Sequence, residues 1–156
     1  MSEQQAQPVF SIDKVYVKDM SLEIPNAPQV FLEREAPQVD VQIHNEATAL
    51  DQGVYQVVLT ATVTAKVKDK TMFLTEAAQG GIFQIRNVSA EDLDPILAIA
   101  CPNILLPYLR EVISSNVVRA GFPPVILGPM NFEMLYMQRK QQEAAAQSAP
   151  TSTTTQ

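Results

Sequence analysis

The sequence is poor in the residues that build metal centres and nucleophilic active sites. Its 156 residues include one cysteine, Cys101, one histidine, His44, and no tryptophan. One cysteine excludes an intrachain disulfide and a thiolate metal cluster. One histidine gives little basis for a zinc site or a histidine-based triad, which need further partners. We therefore expect His44 to be a polar strand residue and Cys101 to be a small buried thiol.

Positive charge is also scarce. Lysine and arginine number 11 against 17 aspartates and glutamates, which gives a net charge of -6. A protein that binds nucleic acid needs a basic face for the phosphate backbone, so this class of partner is not expected. An acidic chain is instead suited to solubility and to a basic site on a partner protein.

Other absences narrow the function further. No run approaches the roughly 20 apolar residues that span a bilayer, and the polar start lacks the apolar core of a signal peptide. The pair Gly80-Gly81 lacks the lysine and helix start of a phosphate-binding loop. We expect a cytoplasmic protein that is not an enzyme and has no cofactor or metal. The scattered carboxylates leave a general acid/base pair formed by the fold as an open alternative.

Composition divides the chain into a folded part and two polar ends. Residues 1–8 and 144–156 have few large apolar side chains to offset the entropy of ordering, so both are predicted to be disordered. Residues 9–143 are predicted to form one domain, for which 46% hydrophobic residues are ample.

Alternation of apolar and polar residues predicts four strands. It places Met20, Leu22 and Ile24 on one face of the first strand, and Val39, Val41 and Ile43 on one face of the second. The clearest alternation runs over residues 54–68, and a turn at 68–70 leads into a partner strand over 71–87. Within that strand, Gly80-Gly81 indicates a bulge or a close approach of another group.

Helical spacing begins after Ser89, a good N-cap. Pro102 is predicted to interrupt the helix and Asn103 to cap the next one, which ends at Gly121; Asn131 is predicted to cap the last helix. The residues on one broad face of the long helix are Ile104, Leu105, Tyr108, Leu109, Val112, Ile113 and Val117. The fold class is thus α+β: a four-stranded antiparallel sheet with a long helix and a C-terminal helix packed on one face.

The loop over residues 121–130 is unusually apolar. It places Phe122, Val125, Ile126 and Leu127 among prolines and glycines, whereas most loops expose polar side chains. Two interpretations remain open from the residues alone. The loop either packs down on the core, as many apolar loop residues do, or forms a movable wall of a hydrophobic groove.

Three motifs together resemble the SecB family of protein-export chaperones. They are K-D-M-S-L-E-I-P-N-A-P at 18–28, Q-G-G-I-F at 79–83, and the helix-loop-helix segment at 100–136. They occur in the family's order and spacing, and the resemblance covers roughly residues 10 to 143. It implies an ATP-independent holding chaperone of bacterial protein export, which keeps unfolded precursors competent for translocation and delivers them to the SecA ATPase.

The resemblance also implies two sets of site residues. The positions that match the family's substrate groove are Phe31, Val39, Val41, Ile43, Val125, Ile126, Leu127, Phe132, Met134, Leu135 and Met137. The positions that match its SecA-binding surface are Asp19, Glu23, Leu74 and Glu76. Without the resemblance, these four residues would be interpreted as a solvated sheet surface. The segment 31–38 departs from some relatives because it has no tryptophan.

Assembly is a further implication of the resemblance, which predicts a homotetramer built as a dimer of dimers. Consistent with contacts between copies, Leu106 and Val118 lie off the main apolar face of the long helix. Val9, Phe10 and Ile12 mark an edge strand available for pairing. Asn116, on the apolar helical face, is predicted to fix the register between helices of two copies.

Two alternative functions stay open. One is a specialised relative that serves a narrow client, such as an unstable antitoxin. The other is a small-molecule-binding domain that uses the cleft between sheet and helices, for which the sequence shows no convergent polar groups.

Overall fold

The computed structural model describes residues 5–149, and the chain forms a four-stranded antiparallel sheet with its helices on one face. The elements in chain order are β1 (Val9–Glu23), a 3-10 turn (Gln29–Leu32), β2 (Gln38–Asp51), β3 (Val54–Val67), β4 (Lys70–Arg86), α1 (Ala90–Pro95), a π-turn (Ile96–Ala100), α2 (Cys101–Arg119) and α3 (Phe132–Ser148). The predicted fold class is confirmed. The strand order is β1-β4-β3-β2, so β1 and β2 are the two edges.

The two faces of the sheet have different surroundings. On β3, Val57, Leu59 and Val63 are fully buried beneath α2, whereas the intervening residues are only half-buried or exposed. We call the covered side the helix face and the other side the open face. Because the side-chain period of a strand is two, register then assigns every residue of the sheet to one face or the other.

The pair Gly80-Gly81 is needed for close approach. A Cβ on Gly80 would lie 2.5 Å from the ring of Tyr16 on the open face, and one on Gly81 would lie 2.7 Å from the ring of Phe83. This part of the prediction is confirmed. Register shifts instead occur in β1, between Ile12 and Lys14 and between Val17 and Asp19.

The helical segment does not break at Pro102, so the predicted interruption and the cap at Asn103 were wrong. Residues 90–119 form one continuous helix because the π-turn shifts the hydrogen bonding by one residue, with Cys101 N–H donating to the Ile96 carbonyl. The next bond in that pattern would need an N–H on Pro102, which proline lacks. Asn45 of β2 replaces it, since its Nδ2 donates to the Leu97 carbonyl at 3.3 Å.

One face of α2 packs on the sheet. Leu105, Leu109 and Ile113 are fully buried, while Tyr108, which was predicted for this face, is 51% exposed. Asn116 was predicted to meet another copy, which was wrong. Its Nδ2 donates to Thr75 Oγ1 at 3.2 Å, and Thr75 in turn donates to the Ser21 carbonyl at 2.9 Å.

The helix over residues 90–119 is long and apolar enough to cross a membrane by length and composition alone. The expectation that no such run exists was wrong, since it rested on a helix break at Pro102 that the structure does not show. One side of this helix, which carries Leu105, Leu109 and Ile113, is buried against the sheet.

The helix starts predicted at Ser89 and Asn131 and the helix end predicted at Gly121 are confirmed. Ser89 Oγ accepts from Asp92 N–H, and Asn131 Oδ1 accepts from Met134 N–H. Gly121 has φ +91 and follows α2, with Gly121 N–H bonded to the Val118 carbonyl and Phe122 N–H bonded to the Val117 carbonyl. This is a Schellman ending, which uses the left-handed conformation that glycine adopts without strain.

The C-terminal helix continues past the predicted domain end. α3 extends to Ser148, so the disorder predicted from residue 144 was wrong for residues 144–148. The alanines and glutamines there have high helix propensity, which a count of large apolar side chains does not register. Residues 1–4 and 150–156 of the predicted ends lie outside the described part of the chain.

Candidate functional site

The apolar loop between α2 and α3 is partly packed and partly exposed, so both interpretations hold for different residues. Leu127 is 5% exposed and belongs to the core, whereas Ile126 next to it is 64% exposed. Arg110 of α2 holds the loop from below, because its Nε donates to the Leu127 carbonyl. The loop is therefore fixed to the core at Leu127, while Ile126 presents its side chain to solvent.

A groove of about 450 Å³ separates this loop from the edge strand β2 and from α3. Val41 and Ile43 line it from the helix face of β2, and Leu135 lines it from α3. The loop supplies the remaining lining, which is Val125, Ile126, Leu127, Gly128, Pro129 and Met130. All of these residues are apolar, so the groove offers contact to alkyl and aromatic groups.

A second groove of about 440 Å³ adjoins the first, with Val125 in the lining of both. It runs from Val39 of β2 to Phe31 of the 3-10 turn. Phe122 lies at its base, with its ring centre 5.2 Å from that of Phe31 and 5.0 Å from that of Phe73. We refer to the two grooves together as the β2 groove.

Most of the predicted groove residues meet in this place. Phe31, Val39, Val41, Ile43, Val125, Ile126, Leu127 and Leu135 line the β2 groove. Phe132 is 3% exposed and packs in the core, while Met134 and Met137 are exposed on α3 outside the two linings. Phe73 was missed as a groove residue. Phe122 was named in the apolar loop but was not among the positions matched to the family's groove.

The chemistry of the β2 groove is that of apolar contact. Glu33 is the one charged side chain among its lining residues in the described part of the chain. β2 is an edge strand, and between residues 5 and 149 no backbone hydrogen bond joins it to the loop at 121–130. Its outer N–H and C=O groups can therefore pair with an extended chain, as happens when a peptide adds a strand to a sheet.

The four predicted acidic-surface residues lie together on the open face. Glu23 of β1 pairs with Leu74 of β4, and Ser21 next to them pairs with Glu76, while Asp19 pairs with Ala78. The patch from Asp19 to Glu23 thus spans about 13 Å along β1. Its carboxylates are exposed, and Thr62 Oγ1 donates to Glu76 Oε2 at 2.7 Å.

An apolar stripe remains uncovered along the edge strand β1. Its residues point to the helix face, and α2 leaves them exposed. They are Phe10 (44% exposed), Ile12 (47%), Val17 (43%) and Met20 (47%). These four side chains form a row of exposed apolar groups along one edge of the sheet.

The residues considered for chemistry are placed as predicted. Cys101 is fully buried, and burial raises the pKa of its thiol to about 12, which removes the thiolate needed for nucleophilic attack. His44 is exposed on the open face of β2. Within residues 5–149, no group of three or more histidine, cysteine, aspartate or glutamate side chains is arranged to hold a metal ion.

Comparison with known proteins identifies the relatives of this chain. The family model of the preprotein translocase subunit SecB matches residues 3–143. The chain is similar to the protein-export protein SecB of Chromobacterium violaceum, with 64% identity over 150 residues, and to that of Nitrosospira multiformis, with 62% over 152. These matches cover 96% of the chain in both cases, and 100% and 96% of the relatives.

A solved structure supports the fold. It is a SecB-like chaperone of Mycobacterium tuberculosis in complex with a peptide from an antitoxin, with a TM-score of 0.65 and 15% sequence identity. The match covers 78% of this chain and 90% of that one. At this identity the likeness shows the fold alone. The fold, the family model and the close relatives agree, and the chain belongs to the SecB family of protein-export chaperones.

Proposed function

We propose that this chain is an ATP-independent holding chaperone that binds exposed apolar segments of unfolded precursors in the β2 groove. The observation that carries this proposal is the groove itself: an exposed apolar channel along an edge strand. Apolar contacts select side chains by size and hydrophobicity, and strand pairing to β2 is independent of sequence. Both properties suit a chaperone that binds many different precursors.

Binding by such a groove is weak per site and strong when sites combine. An unfolded chain that occupies both halves of the β2 groove, or grooves on several copies, gains from the high effective concentration of its second segment. Proteins that fold quickly bury their apolar segments before capture, so selection would favour slowly folding precursors. No bond is formed or broken, and a cytoplasmic location follows from the family's role before translocation.

The groove is tested by adding one charge to either face of the same strand. Val41→Glu places a carboxylate in the groove, where burial against an unfolded segment is costly, and should weaken binding of an unfolded precursor about tenfold or more. Gln42→Glu adds the same charge to the open face of β2 and is the matched control. Affinity measured by fluorescence anisotropy should fall for the first variant only. Equal affinities in two folded variants would contradict the assignment.

The acidic patch of Asp19, Glu23, Leu74 and Glu76 is proposed as the docking surface for SecA. What supports this is its composition: three exposed carboxylates around one half-buried leucine suit a small basic partner site. Charge complementarity would guide encounter and orientation, and the leucine would add apolar contact. The patch and the β2 groove lie on opposite faces of the sheet, so holding and delivery can occur together.

The apolar stripe of β1 is proposed as a contact between copies in a homotetramer. Its exposed side chains, together with Tyr108 and Val118 on the outer side of α2, are available for burial against a second copy.

Service to a narrow client, such as an antitoxin, is the second candidate function, because a similar fold occurs in a chaperone solved with an antitoxin peptide. Identification of bound clients by mass spectrometry separates the two roles.

A further inference from the structure

α3 forms one wall of the β2 groove, yet it has few attachments to the rest of the chain. Phe132 is the one buried residue of the described helix, and Leu135 is 47% exposed. The neighbouring element that α3 contacts most is the π-turn Ile96–Ala100. Beyond its first turn, the position of α3 therefore depends on a small number of side-chain contacts.

Three of those contacts converge on one oxygen atom of α1. Lys140 Nζ lies 2.9 Å from Asp94 Oδ2, Tyr136 Oη donates to the same oxygen at 3.0 Å, and Arg139 Nη2 lies 3.5 Å from it. Both cations also lie over the Tyr136 ring, at 5.4 Å for Arg139 and 5.5 Å for Lys140 from the ring centre. We call these four residues the Asp94 cluster.

The cluster and the groove use different sides of the same helical turn. Tyr136 follows Leu135 directly, and successive residues of a helix are rotated by about 100°. Tyr136 thus faces α1 while Leu135 faces Val41 and Ile43 across the groove. Any rotation of α3 that breaks the bond from Tyr136 to Asp94 also changes where Leu135 stands.

We propose that Asp94 is a positioning residue of the β2 groove: it holds α3 at the rotation and distance that place Leu135 opposite β2. This inference rests on the proposed binding of unfolded polypeptide in that groove. Single exposed ion pairs contribute little. Here three contacts share one carboxylate, and α3 has little other packing to keep its place. Removing the carboxylate loosens the attachment of α3 to α1 without disturbing the sheet or α2.

Two variants separate the charge of Asp94 from its hydrogen bonding. Asp94→Asn keeps an oxygen that accepts from Tyr136 and removes the charge, whereas Asp94→Ala removes both. Hydrogen exchange of the α3 amides at 135–143 reports the attachment of the helix in the free protein. Affinity for a secretory precursor whose cysteines are reduced and alkylated, so that it stays unfolded, reports the groove.

For Asp94→Ala we expect faster exchange in α3, unchanged exchange in β3 and β4, and binding about threefold to tenfold weaker. Asp94→Asn should lie between this variant and the unaltered chain. Glu91→Gln is the matched control, because this substitution removes the same charge from α1. Glu91 itself forms no ion pair with the described residues. Salt at about 0.5 M should bring the unaltered chain close to Asp94→Asn, because it screens exposed charges.

The outcomes are distinct. Unchanged exchange in α3 would overturn the proposal, and so would faster exchange with unchanged affinity, which would leave Asp94 a purely structural contact. Failure of the unaltered chain to bind the alkylated precursor would refute the proposed function. The exchange data, collected without precursor, would still show whether Asp94 holds α3.

Discussion

At the scale of single residues, two asparagines, the half-buried Asn45 and the buried Asn116, donate hydrogen bonds that support the backbone beside them. Asn45 donates to the Leu97 carbonyl, which would otherwise face Pro102 and its missing N–H. Asn116 donates to Thr75, which bonds the Ser21 carbonyl of β1. Each side chain satisfies a polar group in or near the core, where an unpaired group is costly.

Asn45→Ala tests the first of these roles. The substitution leaves the Leu97 carbonyl part-buried without a donor, and we expect the free energy of unfolding to fall by about 1–3 kcal/mol. Urea unfolding followed by far-UV circular dichroism measures this loss. His44→Ala is the control, since His44 is the exposed neighbour on the same strand. A loss no larger than that of the control would show that the hydrogen bond does not support the π-turn.

At the scale of elements, the spacing of apolar residues predicted the strands and helices that are buried on one side. β3 alternates because one face lies under α2, and the caps at Ser89 and Asn131 depend on residues within the same turn. Local pattern could not show that α2 continues through Pro102. The donor to the Leu97 carbonyl at that point is Asn45, which is 52 residues away in the sequence.

The candidate site was predictable to a similar extent. Family resemblance indicated the lining residues on β2 and in the loop, and the structure brings most of them together. The resemblance could not show that Phe73, a residue of the central strand β4, lines the groove and packs against Phe122. Nor could it show that Phe132 points inward while Leu135, three residues later, points to the groove.

The attachment of α3 has a pH dependence that follows from Asp94 and Lys140. The hydrogen bond from Lys140 holds the pKa of Asp94 below its usual value, so the stabilisation is present above about pH 4 and is lost as pH falls through the folded-state pKa. The same bond raises the pKa of Lys140, whose contribution is lost only above its usual value of about 10.4. We therefore expect α3 to keep its position from about pH 5 to pH 9.

Amide chemical shifts of residues 135–140 check this expectation by NMR. They should be steady across that range and should move in acid below about pH 4, together with the carboxyl signal of Asp94. In Asp94→Asn the contribution of Asp94 should be lost, which leaves only the smaller acid transition of Glu143, the carboxylate that pairs with Arg139 and Lys140 within α3. A transition near pH 7, or one that persists unchanged in the variant, would contradict the role given to the carboxylate.

At the scale of the whole molecule, the sheet separates two proposed surfaces. The β2 groove lies on the helix face at one edge, and the acidic patch lies on the open face toward the other edge. β1 carries the patch on one side and the apolar stripe on the other, so contact between copies along the stripe would leave the patch exposed. A precursor and SecA would then bind without competing for the same residues.

Loss of charge in the acidic patch should affect delivery alone. The double variant Asp19→Asn, Glu76→Gln should bind SecA about tenfold more weakly, because charge complementarity is reduced, while its affinity for unfolded precursor stays unchanged. Asp40→Asn removes a charge from the open face of β2 and serves as a control. Calorimetric titration of SecA measures the first effect. Equal loss of SecA binding and precursor binding in a folded variant would refute the separation of the two surfaces.

Holding of unfolded precursors is the central claim, and refolding kinetics test it most directly. A denatured, slowly folding precursor is diluted into buffer without nucleotide, with or without this protein, and recovery of its native fluorescence is followed. We predict arrest of refolding at near-stoichiometric amounts, with much weaker arrest by the Val41→Glu variant and full arrest by Gln42→Glu. Unchanged refolding of several such precursors in the presence of the unaltered protein would contradict the account.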